Sequence, residues 1–165
     1  MKTLILMRHA ESSWPANNDN DFERPLSKLG ENSIEIMSEA LLTKNINLEL
    51  MVCSTAVRAA KTAAKLADRL QYRRKQVTLL DELYLAKPAD IWQIIKNFDN
   101  QNNTVMLVGH NPGLTALASY ITGEYVSNLP VCGVYAIQID LDNWQDICPG
   151  YGRCLFFDYP DKYNA

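Results

Sequence analysis

Nothing in this chain approaches the length of a membrane span. Its amino terminus offers one lysine and then five mostly apolar residues before Arg8, shorter than the apolar region of a secretory signal. A soluble, cytoplasmic protein is the expectation, with no membrane partner. Basic clustering is also lacking. Against 19 acidic residues stand 16 Lys and Arg, for a formal net charge of −3, and Arg73-Arg74-Lys75 is the one short run, which offers no general nucleic-acid footprint. The four cysteines, Cys53, Cys132, Cys148 and Cys154, lack the paired short spacings of a zinc site and are too few for a disulfide scaffold. They read as reduced and structural, with Cys53 in the core. Cys148 and Cys154 flank Pro149-Gly150 closely enough to leave a bridge between them open. Internal repeats and low-complexity segments are absent as well. What is present is 165 residues, 47% of them hydrophobic, enough for one domain over 1–165 and too few to suggest two.

Short apolar runs of strand length alternate with segments of helical periodicity, in the order β-α-β-α-β-α-β-α-β-β. The first strand is Thr3 to Met7. Ser27 then caps a helix whose Ile34, Met37 and Leu41 recur at three- and four-residue spacing, ending near Asn45. Leu48 to Cys53 is the second strand, followed from Thr55 by a helix on which Val57, Ala60, Ala64 and Ala67 share one face. Gln76 to Leu80 is the third strand, and Ala89 to Phe98 a helix that buries Ile91, Ile94, Ile95 and Phe98. Thr104 to Val108 is the fourth strand. Asn111 and Pro112 come next as N-cap and first residue of a helix carrying Leu114, Leu117, Ala118 and Ile121. Gly133 to Ile139 and Arg153 to Phe157 are two closing strands at one sheet edge. The pattern is an α/β sandwich with a largely parallel sheet.

Histidine is the scarcest informative residue: the chain has two, and each directly follows an apolar strand, in Leu4-Ile5-Leu6-Met7-Arg8-His9 and Val105-Met106-Leu107-Val108-Gly109-His110. Ligands of open α/β sheets bind just beyond the carboxyl ends of the strands, so both imidazoles share a functional address. Arg8 precedes His9, and Arg58 opens the helix after the strand ending at Cys53-Ser54. Guanidinium forks match phosphoryl oxygens bidentately, and helix amino termini near Arg58 and after His110 add oriented N–H donors. Alone, Arg58 reads as an ion-paired surface residue; in combination the set reads as a phosphate pocket.

The stretch Leu6-Met7-Arg8-His9-Ala10-Glu11-Ser12 resembles the Arg-His-Gly/Ala signature of the histidine phosphatase superfamily. Arg24-Pro25-Leu26-Ser27 with Gly30, the block from Ser54 through Arg58-Ala59 to Thr62-Ala63, and Val108-Gly109-His110-Asn111-Pro112 resemble three further motifs of that family, in its order. The resemblance implies a phosphoglycerate mutase-like α/β/α fold. It implies His9 as nucleophile, passing through a phosphohistidine, with Arg8, Arg58 and His110 around the phosphoryl group. The neighbouring cations disfavour a further positive charge, so His9 should stay neutral near neutral pH, and they offset charge on the phosphoryl oxygens. No metal or cofactor is expected, because zinc would need at least three clustered ligands.

Hydrolysis of an alkyl phosphate needs a proton on the departing oxygen. By the resemblance, Glu82, in Leu80-Asp81-Glu82-Leu83-Tyr84, stands where the family's acid would; the other reading is a solvated loop carboxylate or an ion-pair partner of Arg58. Asp81 is a weaker candidate, and Asp19 and Asp21 read as parts of a polar rim over Asn17 to Glu23. An imidazole leaving from phosphohistidine has less need of an acid. The connection from His9 to Ser27 is short, no long insertion follows Arg58, and in length and in its Arg-His-Ala and Arg-Pro-Leu pattern the chain looks like the SixA-type phosphohistidine phosphatases. Pro15 follows Trp14 where the mutase-like branch usually has Asn, which speaks against a mutase. Two substrate readings follow: a phosphohistidine-bearing protein, or a small phosphate ester with Glu82 as acid. A phosphate-binding module without catalysis is the third. Trp14 walls the pocket or anchors the loop, and Tyr151, Tyr159 and Tyr163 pack at the sheet edge or line a partner surface.

Overall fold

The computed structural model describes residues 1–15 and 20–164; Asp19 lies outside them. Six strands form one sheet in the order β3-β2-β4-β1-β5-β6. The strands are β1 (Lys2–Arg8), β2 (Leu50–Ser54), β3 (Thr78–Leu80), β4 (Thr104–Gly109), β5 (Val134–Ile139) and β6 (Gly152–Asp158). The first four run parallel; β5 pairs antiparallel with β1, and β6 with β5, making the antiparallel edge. Parallel neighbours need crossovers, which the helices α1 (Lys28–Leu42), α2 (Val57–Arg69), α3 (Pro88–Lys96) and α4 (Gly113–Thr122) supply. Among the described residues no helix is long and apolar enough to cross a membrane.

Strand alternation sorts the core into two layers. Leu4 and Leu6 of β1, Val52 of β2, Val105 and Leu107 of β4 and Ile137 and Ile139 of β5 face α3 and α4. Their alternating neighbours, Ile5, Met7, Met51, Cys53, Met106, Val108 and Ala136, face α1 and α2. This is the three-layer α/β/α sandwich expected from the sequence. The central strands are apolar on both sides because both of their faces are covered.

Local chemistry sets the helix starts. Ser27 accepts from the Gly30 N–H, as a capping serine should. At Gly30 a Cβ would stand 2.1 Å from the Glu11 carbonyl oxygen, so glycine is what lets the segment after His9 lie against the start of α1. The fourth helix begins one residue later than Pro112, at Gly113, and the Asn111 side chain accepts from the Thr115 N–H and hydroxyl at 3.2 and 2.8 Å. The third strand is shorter than Gln76 to Leu80, because residues 74–76 close a turn of 3-10 helix.

The buried face of α2 differs from the alanine stripe. It comprises Arg58, Ala59, Thr62, Ala63, Leu66 and Ala67, whereas Val57, Ala60 and Ala64 line a shallow side hollow. The helix is turned by about one residue so that two polar side chains face inward, and their hydrogen bonds account for it. The Thr62 hydroxyl accepts from the Ala10 N–H at 3.0 Å and donates to the Arg58 carbonyl at 2.7 Å. Cys53 and Cys132 are buried thiols that burial holds well above their usual pKa, and Cys148 and Cys154 are free, without a bridge.

Candidate active site

Sheet order brings the two histidines together. β4 lies between β1 and β2, and Arg8 is paired with Gly109 in register, so the next residue on each strand, His9 and His110, leaves the sheet side by side. The His9 N–H donates to the Gly109 carbonyl at 3.1 Å, and the imidazole centroids are 5.1 Å apart. β2 ends one strand over at Ser54, which places Arg58, in the first turn of α2, above the same strand ends.

Arg58 is the hub and is 3% exposed. Its Nε–H donates to His9 Nε2 at 3.2 Å, Nη1 donates to the Asp21 carbonyl at 2.6 Å, and Nη2 meets the Asp21 carboxylate at 3.0 Å and His110 Nδ1 at 3.4 Å. These contacts fix both tautomers, because a guanidinium only donates. His9 Nε2 therefore carries a lone pair, and its Nδ1–H donates to the Ala10 carbonyl at 2.8 Å. His110 likewise turns its Nδ1 lone pair to Arg58, and its Nε2–H donates to the Ser54 hydroxyl at 2.7 Å. Arg8 donates from Nη1 to the Leu129 carbonyl at 3.1 Å, while its buried Nε–H has no partner among the described residues. Two guanidinium groups lining one cavity beside two imidazoles make a place for an anion.

The electrostatics agree with the bonding. Burial first, then the charges of Arg58, Arg8 and Arg24, bring the His9 pKa down to about 4 against the opposing hydrogen bond to Ala10. Burial, then His9 and Arg58, bring His110 to about 3. Both rings are neutral at pH 7, which leaves His9 with an unprotonated ring nitrogen beside Arg58. Burial also lowers the Arg8 pKa.

Asp21 is the residue that the sequence reading placed on a rim and the fold places in the site. Its Oδ2 accepts from Arg58 and from the Tyr84 hydroxyl at 2.5 Å, and its Oδ1 from Arg24 at 3.2 Å. Burial opposes ionisation, but the hydrogen bonds from Tyr84, Arg24 and Arg58 outweigh it and bring the carboxyl to about 2. Tyr84 also sets its ring edge-on to His110, at 5.6 Å. Ser54 and Thr62, which the sequence reading quoted in a motif without a role, and Tyr84 are the other site neighbours.

Together Arg8, His9, Asp21, Arg58 and His110 line one open cavity of about 300 Å³, with Glu11, Ser12, Arg24, Leu85, Asn111 and Val131. Glu82 is not among them. It is exposed and lines a different depression of about 420 Å³, with Leu50, Val52 and Leu80, that carries neither histidine nor arginine. Asp81 accepts from the Thr55 hydroxyl at 2.7 Å. Glu11 accepts from the Ser27 hydroxyl at 3.0 Å, within the α1 cap. Trp14 is exposed, with the Arg24 guanidinium stacked 4.0 Å from its ring centroid, so it stands at the rim. Among the described residues no group of three or more His, Cys, Asp or Glu is disposed to hold a metal ion.

Residues 4–89 match the family model for the histidine phosphatase superfamily, branch 1. An uncharacterized protein of Mycobacterium tuberculosis is 28% identical over 164 residues, covering 93% of this chain and 99% of that one. Among solved structures, the protein histidine phosphatase SixA complexed with tungstate superposes with a TM-score of 0.82 at 19% identity, covering 97% of this chain and 98% of SixA. A crystal structure described as the putative phosphohistidine phosphatase SixA from Agrobacterium tumefaciens gives 0.82 at 25% identity, over 96% and 98%.

Proposed function

Because this chain belongs to the histidine phosphatase superfamily, we propose that it is a phosphatase in which His9 accepts the phosphoryl group, and that its substrates are phosphohistidine side chains of proteins. The observation that carries the reading is the lone pair on His9 Nε2, held by the Nδ1–H bond to Ala10 and facing the cup of Arg58, Arg8 and His110. In the first step Nε2 bonds to phosphorus as the bond from phosphorus to the leaving group breaks. In the second, water takes the phosphoryl group and His9 is restored with its Nδ1 proton in place. The arginines and His110 surround the phosphoryl oxygens and offset their charge, which is the work a metal would otherwise do.

Two features favour phosphohistidine over a phosphate ester. An alkoxide leaving group needs a proton, and no described carboxyl lining the cavity is free to give one: Glu11 is engaged with Ser27, and Asp21 is ionised. The cavity is also open, which suits a side chain presented by another protein. SixA complexed with tungstate, described in its name as a protein histidine phosphatase, has the same fold.

The test is turnover by purified protein in excess EDTA, offered a phosphohistidine protein and a panel of alkyl and aryl phosphates. The expected result is the highest kcat/KM on phosphohistidine and acid-labile phosphate trapped on the enzyme, with both lost in His9→Ala. Turnover of esters alone would move the substrate to a small phosphomonoester. No phosphoenzyme and undiminished activity in His9→Ala would end the mechanism.

A further inference from the structure

A carboxylate beside a phosphate cup needs a reason. Asp21 and His110 share one guanidinium nitrogen, Arg58 Nη2, so any dianion seated on Arg58 sits close to a negative charge that the fold holds with three side-chain donors, Tyr84, Arg24 and Arg58. A site built only to bind phosphate gains nothing from that repulsion. The placement becomes favourable when the remainder of the substrate carries positive charge.

In-line attack puts the leaving group opposite His9, toward the mouth of the cavity. Asp21 lines the same cavity and is the more exposed partner of the pair, its side chain 33% exposed against 3% for the Arg58 it holds, so its carboxylate is within reach of solvent and of an incoming group. We propose that Asp21 is a specificity-determining residue that selects phosphohistidine over phosphate esters, by accepting a hydrogen bond from the protonated second ring nitrogen of the departing imidazole. The inference rests on the phosphohistidine reading above and deepens it. The step balances without an acid. The His9 lone pair forms the new N–P bond, the old P–N electron pair returns to the departing ring nitrogen, and the proton already on the other ring nitrogen makes the product neutral imidazole. For an ester the same carboxylate would face an oxygen gaining negative charge, and it holds no proton to give.

The test compares wild type and Asp21→Asn on a phosphohistidine peptide and on para-nitrophenyl phosphate. Asparagine keeps an oxygen acceptor for Arg58 and removes the charge. The expected result is a fall of about tenfold or more in the ratio of kcat/KM for the peptide to that for the ester, the size of a charge-assisted hydrogen bond. The basic limb of the peptide pH profile should also move to lower pH in the variant, because the substrate ring then loses its proton more easily. Orthovanadate binding by the variant, at wild-type strength or tighter, separates these effects from a collapsed site. An unchanged ratio, with both substrates slowed alike, would reduce Asp21 to a positioner of Arg58 and overturn the inference while leaving phosphohistidine turnover intact. If wild type does not cleave the peptide at all, the substrate reading fails first and this inference with it.

Discussion

Strand β1 has a cation at each end, and the two are treated in opposite ways. At its start Lys2 is 1% exposed, and its ammonium donates to the carbonyls of Asn100 and Asn102 and to the side chain of Asn103, at 2.6, 3.4 and 2.9 Å, with the Trp144 ring beside it. Each of its three protons is placed, and every acceptor is neutral. At the other end Arg8 keeps a buried N–H with no partner among the described residues, and the His9 lone pair accepts from Arg58. Burying polar groups costs free energy unless they are paired, so the closed end stabilises the fold and the open end holds capacity for a ligand. The difference separates a buried charge that serves structure from one placed to serve the proposed chemistry.

The strongest way to break that comparison is at Arg58. Replacing it with alanine should lower kcat by about 10²–10³-fold, the usual result of removing a preorganised donor from a developing charge. Lysine should recover little, because three separate nitrogens of the guanidinium are in use. An alanine variant within about threefold of wild type would show that the cup is not catalytic.

Acidification probes the same end through stability. His9 and His110 have folded pKa values of about 4 and 3, below the 6.5 of an exposed histidine, so the unfolded chain binds protons first as pH falls. Their neutral burial is without cost above pH 6.5, and stability should decline as pH falls from there toward about 4, by up to about 1.4 kcal/mol per pH unit for each ring. Urea titrations of wild type and His110→Asn across that range should show a shallower slope in the variant. Identical slopes would mean that the His110 ring is not held neutral. At the closed end Lys2→Met should cost about 1–3 kcal/mol by stranding its acceptors, with kcat/KM preserved at a temperature where both proteins are folded. Lost activity at full stability would reverse the assignment of the two ends.

How much of this was legible depended on whether one strand or several had to be read. The order of elements and the address of His9 and His110 follow from apolar runs ending in histidine, and the parallel register does the rest. The inward face of α2 was misread because the stripe of small residues looks like the buried side, while polarity at Thr62 looks like solvent exposure until Ala10 is placed against it. Asp21 was missed for a related reason: its partner Arg58 is 37 positions away, and a polar segment looks the same on a rim as in a site.

The segment after β3 supplies the smallest effect and the sharpest contrast. Glu82 and Tyr84 are two residues apart across the 3-10 turn Asp81–Leu83, and with three residues per turn their side chains must leave in different directions. Tyr84 goes in, to Asp21 and His110; Glu82 goes out, to a depression that holds none of the site. A resemblance carries Glu82 to the right loop, but in the structure that loop turns Tyr84, not Glu82, toward the cavity with the histidines. Glu82→Gln should therefore leave hydrolysis of para-nitrophenyl phosphate within about twofold of wild type, as surface changes remote from a site usually do. A loss of about a hundredfold on that ester, with phosphohistidine turnover spared, would show that the loop turns Glu82 inward during catalysis and would restore it as the general acid.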